Sequence, residues 1–209
     1  MKKATRGNLM MKSVVLMILT ALVLSAAPAS GQQGVGERHG SVFATTLQTS
    51  EGREFSCDSF QKNKATVLIF LSESCPICQK YTLTLKSLWA EYSGKNIGFY
   101  GVFPSTSVEI DSVKGFAGKY AIPFPLLIDS AQVLTSLVKA RITPESVVLS
   151  ARGEVLYQGR IDNLFPQIGR KRYAATTHEL NDALRSILRQ EQIQVKRTEA
   201  VGCFIESEE

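Results

Sequence analysis

The chain has 209 residues, enough for one well-buried domain with appendages and short for two. Its 44% hydrophobic and 21% charged residues exclude a disordered or low-complexity protein. Of the formal charge of +5, four charges belong to the first 30 residues, where Lys2, Lys3, Arg6 and Lys12 face no acid. Without them 20 basic residues meet 19 acidic ones, a net +1 that gives little support for binding nucleic acid.

Those four cations precede an apolar run from Val14 to Leu24, broken only by Thr20, and then the small residues Ala27-Pro28-Ala29. The pattern predicts a cleavable secretory signal over residues 1–29; the run is too short to span a bilayer comfortably, which takes about 20 apolar residues. No cysteine sits at the cleavage point, so no lipoprotein anchor is expected there. The mature chain is therefore expected to be exported, to a periplasmic or other extracytoplasmic compartment where disulfides persist. Residues 30–41, rich in Gly and Gln and holding His39, read as a flexible leader. A single domain is expected over 42–190 and a C-terminal tail over 191–209.

Within the domain, Phe43 to Phe55 reads as a hairpin around Ser50-Glu51-Gly52. Cys57-Asp58-Ser59-Phe60 follows as a helical turn. Ala65 to Leu71 is apolar enough to be a strand buried on both faces. The helix behind it places Ile77, Tyr81, Leu85, Leu88 and Tyr92 on one face and is expected to end at Gly94. Ile97 to Phe103 is a second strand, and Ser105 to Tyr120 a helix starting at Ser105 or Ser107. An extended segment over Pro123–Asp129, a short helix over Val133–Ala140, and a hairpin of strands Ser146–Leu149 and Val155–Ile161 come next. The last helix is expected to open with Thr176 and Glu179 at capping-box spacing. This order implies an α/β fold, a mixed central sheet flanked by helices, with an N-terminal hairpin and a C-terminal extension.

Between the buried strand and its helix lies Ser74-Cys75-Pro76-Ile77-Cys78. The unsatisfied N–H groups and the positive dipole end of the helix favour a thiolate at Cys75, the nucleophilic form in disulfide exchange. Pro76 suits the first helical position, and Cys78, one turn on, can close a local disulfide with Cys75. The stretch reads as a redox centre.

The order of elements and this motif resemble the thioredoxin-like superfamily, in the branch of the alkyl-hydroperoxide-reductase-like redoxins and the exported cytochrome c maturation thioredoxins. The resemblance covers about residues 42–190 and includes Thr143-Pro144-Glu145 ahead of the terminal hairpin. It implies that Cys75 attacks a substrate disulfide and Cys78 resolves the mixed disulfide. It also implies that Pro144 is the cis-proline facing the dithiol, with Thr143 offering its backbone to an extended substrate. No organic cofactor is implied and no metal site is assigned. Expected partners are protein thiols and disulfides, with a membrane-embedded dithiol protein as electron donor. Ser74 stands where thioredoxins carry Trp. Glu73, the nearest carboxylate, would oppose thiolate formation if close to Cys75 and so leans the pair towards reduction.

Two rival activities belong to the same fold. Peroxidase chemistry is suggested by Ser72, three residues ahead of Cys75. The proline that peroxiredoxins place four residues earlier is Leu68, however, and the arginine they use beside the thiolate has no clear counterpart, since Arg141 and Arg160 only flank the relevant strand. Copper binding, or assembly of a respiratory oxidase, would use Cys75, Cys78 and Cys203, while His39 and His178 read as leader and surface residues. Cys57 and Cys203 are left with three readings: a structural disulfide worth about 3–5 kcal/mol in the loop-entropy model, a resolving or relay role for Cys203, or free thiols. The Arg170-Lys171-Arg172 run reads as a solvated loop or a docking patch for an acidic partner. Trp89 is expected to pack on the active-site helix.

Overall fold

The site is set by one strand. In a computed structural model, which describes residues 41–206, β3 (Ala65–Phe70) is fully buried at every position. The expected signal segment, His39 and all of the leader except Ser41 lie outside the described residues. Successive side chains of a strand face opposite ways, so the six residues of β3 serve two cores. Ala65, Val67 and Ile69 join Tyr81, Leu85 and Tyr92 on one face. Leu68 and Phe70 join Cys57, Phe60 and Leu134 on the other.

Around β3 a seven-stranded mixed sheet runs in the order β2-β1-β5-β4-β3-β7-β8. The strands are β1 (Thr46–Thr49), β2 (Glu54–Ser56), β4 (Ile97–Phe103), β5 (Leu126–Ile128), β7 (Glu145–Ser150) and β8 (Val155–Gly159). β3, β4 and β5 are parallel; β7, β8, β1 and β2 join antiparallel. Helices α1 (Pro76–Tyr92), α2 (Ile110–Tyr120), α3 (Val133–Val138) and α4 (Glu179–Arg189) complete the described α/β fold. The apolar stripe of α1 is buried as its spacing predicts: Tyr81, Leu85, Leu88 and Tyr92 are buried and Ile77 partly so.

Three boundaries differ from the sequence reading. α2 starts at Ile110, not at Ser105 or Ser107, because Ser105 Oγ accepts from the backbone N–H of Ser107 and pairs with its hydroxyl. Such local side-chain bonds offer the backbone an alternative to helix. α4 starts at Glu179 without a capping box: Thr176 pairs with Asn163, and the Glu179 carboxylate accepts from Thr177 and Arg160. After α1 the chain turns at Asn96, in the left-handed region at φ 58°, rather than at Gly94.

The tail, expected only as an extension, is laid along the sheet. Lys196 to Thr198 bond to Gln158 of β8, and Cys203–Phe204 form β9, antiparallel to β6 (Ile142–Thr143). The close approach needs Gly159, where a Cβ would lie 2.2 Å from Thr198 Oγ1.

Phe70, fully buried in the second core, is a direct test of that packing. Phe70→Ala is expected to lower unfolding free energy by about 3–5 kcal/mol, read from the midpoint of urea denaturation.

Candidate active site

Cys75 is the N-cap of α1 and Pro76 occupies its first turn, so the free N–H groups of that turn, those of Ile77 and Cys78, open beside Cys75 and favour its thiolate without a capping hydrogen bond to the sulfur. Cys78 follows inside the helix, fully buried. The Thr143–Pro144 peptide bond is cis, as the resemblance implies. In the thiol form the Cys75 S–H donates to the carbonyl oxygen of Thr143, at 3.2 Å. Cys75, Cys78, Thr143 and Pro144 are thus brought together by β3, α1 and the β6–β7 junction.

Glu145, which sequence reasoning passed over as part of a triplet, holds that junction. Its Oε2 accepts from the N–H groups of Arg141, at 2.8 Å, and Ile142, at 3.2 Å, while Gln158 Nε2 donates to Oε1. A buried carboxylate satisfied by three donors fixes the approach to Thr143. An acid directly after Pro144 was the available signal, but its partners come from the preceding loop and from β8.

The third thiol arrives from the tail. Cys203 Sγ lies 2.9 Å from Cys75 Sγ, with its S–H donating. Cys203 is paired in register with Thr143, and Thr143 Oγ1 donates to the Cys203 carbonyl. Cys57, buried in the opposite core, and Cys203 are both free thiols, and Cys203 faces Cys75 instead, so the structural disulfide between Cys57 and Cys203 is not formed.

The electrostatics follow from these donors. The Cys78 S–H, then the Cys203 S–H and the two backbone N–H groups, outweigh burial and bring the Cys75 thiol down to about 4. Burial and the adjacent Cys75 thiolate push Cys78 well up. Cys203 rises to about 11, through partial burial and the same thiolate. Cys57 rises to about 12, chiefly by burial, and is inert as a nucleophile at neutral pH. The site therefore favours the thiolate at Cys75 and the thiol form at Cys78 and Cys203.

The remaining sequence candidates fall at the margins. Glu73, half-buried, lines a polar cleft with Ser72, Ser74, Ser105 and Ser107, and its backbone carbonyl accepts from Gln79. It is not among the groups that set the ionisation of Cys75. Arg160 donates its guanidinium to Glu179 rather than to a thiolate. His178 is exposed at the start of α4. Arg170, Lys171 and Arg172 are exposed, with Arg172 Nε bonded to the Asn163 carbonyl. Trp89 packs against the first core. Among the described residues no three His, Cys, Asp or Glu side chains are grouped to hold a metal ion.

The AhpC/TSA family model matches residues 41–158, more than half of the chain. The chain belongs to the AhpC/TSA family. It is thus a redoxin of thioredoxin-like fold, in a family of oxidoreductases. Among solved structures it is similar to an uncharacterized conserved protein from Geobacillus kaustophilus, at 21% identity and a TM-score of 0.71, covering 81% of this chain and 91% of that one. A hypothetical protein from Sinorhizobium meliloti shares 21% identity at a TM-score of 0.69, covering 79% and 92%. The bacterioferritin comigratory protein of Xanthomonas campestris, whose structure was solved for its alkyl peroxide reduction activity, shares 21% identity at a TM-score of 0.50, covering 56% and 79%. These likenesses show the fold. No curated protein sequence matches the chain significantly.

Thiolate absorbance in the ultraviolet, taken as the reduced protein minus its Cys75→Ser variant, is expected to persist as pH falls and to disappear only near pH 4. Cys203→Ala removes one donor and is expected to move that loss to higher pH. A thiolate lost near pH 8, as for an ordinary cysteine, would refute the assigned donors.

Proposed function

We propose that the protein is an exported thiol–disulfide oxidoreductase working through the Cys75–Cys78 dithiol. The observation that carries this reading is the position of Cys75 Sγ between Cys78, one helical turn on, and the Thr143 carbonyl on a paired backbone edge. Cys75 attacks a substrate disulfide, one substrate sulfur leaves, and a mixed disulfide forms on Cys75. Cys78 then gives up its proton to the departing sulfur and closes the Cys75–Cys78 disulfide. Its raised pKa keeps it a thiol until that step, which holds the pair open for substrate.

The substrate is a polypeptide carrying a cysteine in extended form. The edge at Thr143 accepts such a strand, since the chain's own Cys203–Phe204 segment pairs there. Pro144 and Thr143 hold the strand; Glu145 keeps them in place. Export by the N-terminal segment separates the protein from cytosolic reductants, so a membrane-embedded dithiol protein is the electron donor we assign. The reductant lean drawn from Glu73 and Ser74 is opposed by the ionisation of Cys75. A stabilised thiolate favours the reduced form of the pair and makes its disulfide more oxidising.

Peroxide reduction is the less favoured activity, because no arginine is among the groups that act on Cys75 and Arg160 is committed to Glu179. Reduction of the interchain disulfides of insulin, with dithiothreitol as electron source, is expected for the native protein and is expected to fall to background in Cys75→Ser. Cys78→Ser combined with Cys203→Ser is expected to accumulate a mixed disulfide with a cysteine-bearing peptide. Cys75-dependent consumption of hydrogen peroxide without insulin reduction would replace this reading with peroxidase; tight Cu(I) binding without exchange would replace it with copper carriage.

A further inference from the structure

The backbone edge at Thr143, where an extended substrate would pair, is already occupied by the chain's own tail. The pairing is specific. Ile142 faces Phe204, Thr143 faces Cys203, and the Ile205 N–H donates to the Arg141 carbonyl at 2.9 Å. Gly202 makes it possible, since a Cβ there would lie 2.0 Å from the Thr143 carbonyl oxygen and 3.1 Å from Pro144 Cδ. Upstream, Thr198 Oγ1 accepts from the Arg160 N–H and pairs with the Tyr157 hydroxyl. The tail is therefore delivered in one register, with its cysteine against the nucleophile.

Burial divides the thiols in a second way. With the tail in place Cys75 is 1% exposed and Cys78 fully buried, whereas Cys203 is exposed to solvent. Cys75 is thus reached by the tail's sulfur without any movement, and by a substrate only when the tail lifts from β6.

We propose that Cys203 is the third redox thiol of the site, and that the tail is a built-in substrate strand whose sulfur displaces the substrate's from Cys75 before Cys78 closes the local disulfide. This rests on the exchange reading above. With the tail lifted, the Cys75 thiolate attacks a substrate disulfide, forms a mixed disulfide and releases one substrate sulfur as thiolate. The tail then re-pairs with β6 and expels the substrate strand from the same edge. As it does so, the Cys203 sulfur attacks Cys75 Sγ, the Cys75–substrate bond breaks, and the proton of Cys203 passes to the departing substrate sulfur. In the last step the Cys78 sulfur attacks Cys75, the Cys75–Cys203 bond breaks, and the Cys78 proton passes to Cys203. The substrate disulfide gains two electrons, Cys75 and Cys78 lose them, and Cys203 ends as it began. Run backwards, the same steps oxidise a substrate dithiol. Tethering raises the effective concentration of the displacing strand far above that of any free thiol. Loss of the Cys75 negative charge in the mixed disulfide removes one of the influences that hold the proton on Cys203.

The test uses dithionitrobenzoate, which releases one coloured nitrothiobenzoate when a thiolate attacks it and leaves a second as an adduct. Cys78→Ser protein is expected to release both groups and retain none. The second release should be first-order and independent of protein concentration, and peptide mass spectrometry should find Cys75 linked to Cys203. Cys78→Ser with Cys203→Ser is expected to keep one adduct on Cys75. Gly202→Val in the Cys78→Ser background is expected to slow the second release at least about tenfold by undocking the tail. If serine perturbs the buried position, Cys78→Ala serves in its place. A stable adduct on Cys75 beside a free Cys203, or a second release unaffected by Gly202→Val, would overturn the proposal. The exchange reading is tested separately by Cys203→Ser alone, which should still close Cys75–Cys78 and release both groups; failure there would sink the exchange reading instead.

Discussion

A thiolate at the end of a buried strand must find its donors nearby, and in this protein nearly every element at the site serves that need. β3, covered on both faces, ends five residues before Cys75. α1 begins there and turns its free N–H groups and its Cys78 thiol towards the sulfur. The tail adds a third source of hydrogen bonding through Cys203. Burial alone would keep Cys75 protonated, as it does Cys57 in the opposite core. The difference between two almost equally buried cysteines is thus the local supply of donors, which α1 creates by starting at Pro76.

The same arrangement makes the backbone at Thr143 a second fixed point. Glu145 and Gln158 lock the loop ahead of it, and β6 presents a short edge on which one further strand fits. In this chain that strand is its own tail. In the proposed mechanism substrate recognition and tail docking are competing uses of one edge, and a substrate strand displaces an anchored segment. This gives the tail chemical consequence beyond covering an apolar surface.

Local pattern carried much of this into the sequence. The continuous apolar run of β3, the three-and-four spacing of α1 and the position of Pro76 each answer to near neighbours, so the buried strand, the helix and the dithiol at their junction could be read directly. The Thr143–Pro144 pair was legible through resemblance, not through spacing. What stayed hidden depends on distant partners. Ser105 and Thr176 carry good helix-start chemistry, but Ser107 and Asn163 claim their side chains instead. Glu145 looks like an ordinary acid until Arg141, Ile142 and Gln158 surround it. In the sequence Cys203 is open between a structural bond to Cys57, a role at the site and a free thiol. The pairing of β9 with β6, allowed by the missing side chain of Gly202, is what sets it against Cys75. Glu73 is the carboxylate nearest in sequence, yet the sulfur hydrogens of Cys78 and Cys203 act on Cys75 more directly.

The central claim is that Cys75 and Cys78 form one exchanging pair whose reduced state is favoured by a stabilised thiolate. Equilibration of the protein with glutathione redox buffers tests it most directly, followed by the fluorescence of Trp89 and by mass spectrometry of trapped thiols. The expected result is a single two-electron transition assigned to Cys75 and Cys78, with a midpoint above the value of about −270 mV typical of thioredoxin. A midpoint below that value, or the absence of any two-electron transition, would contradict it.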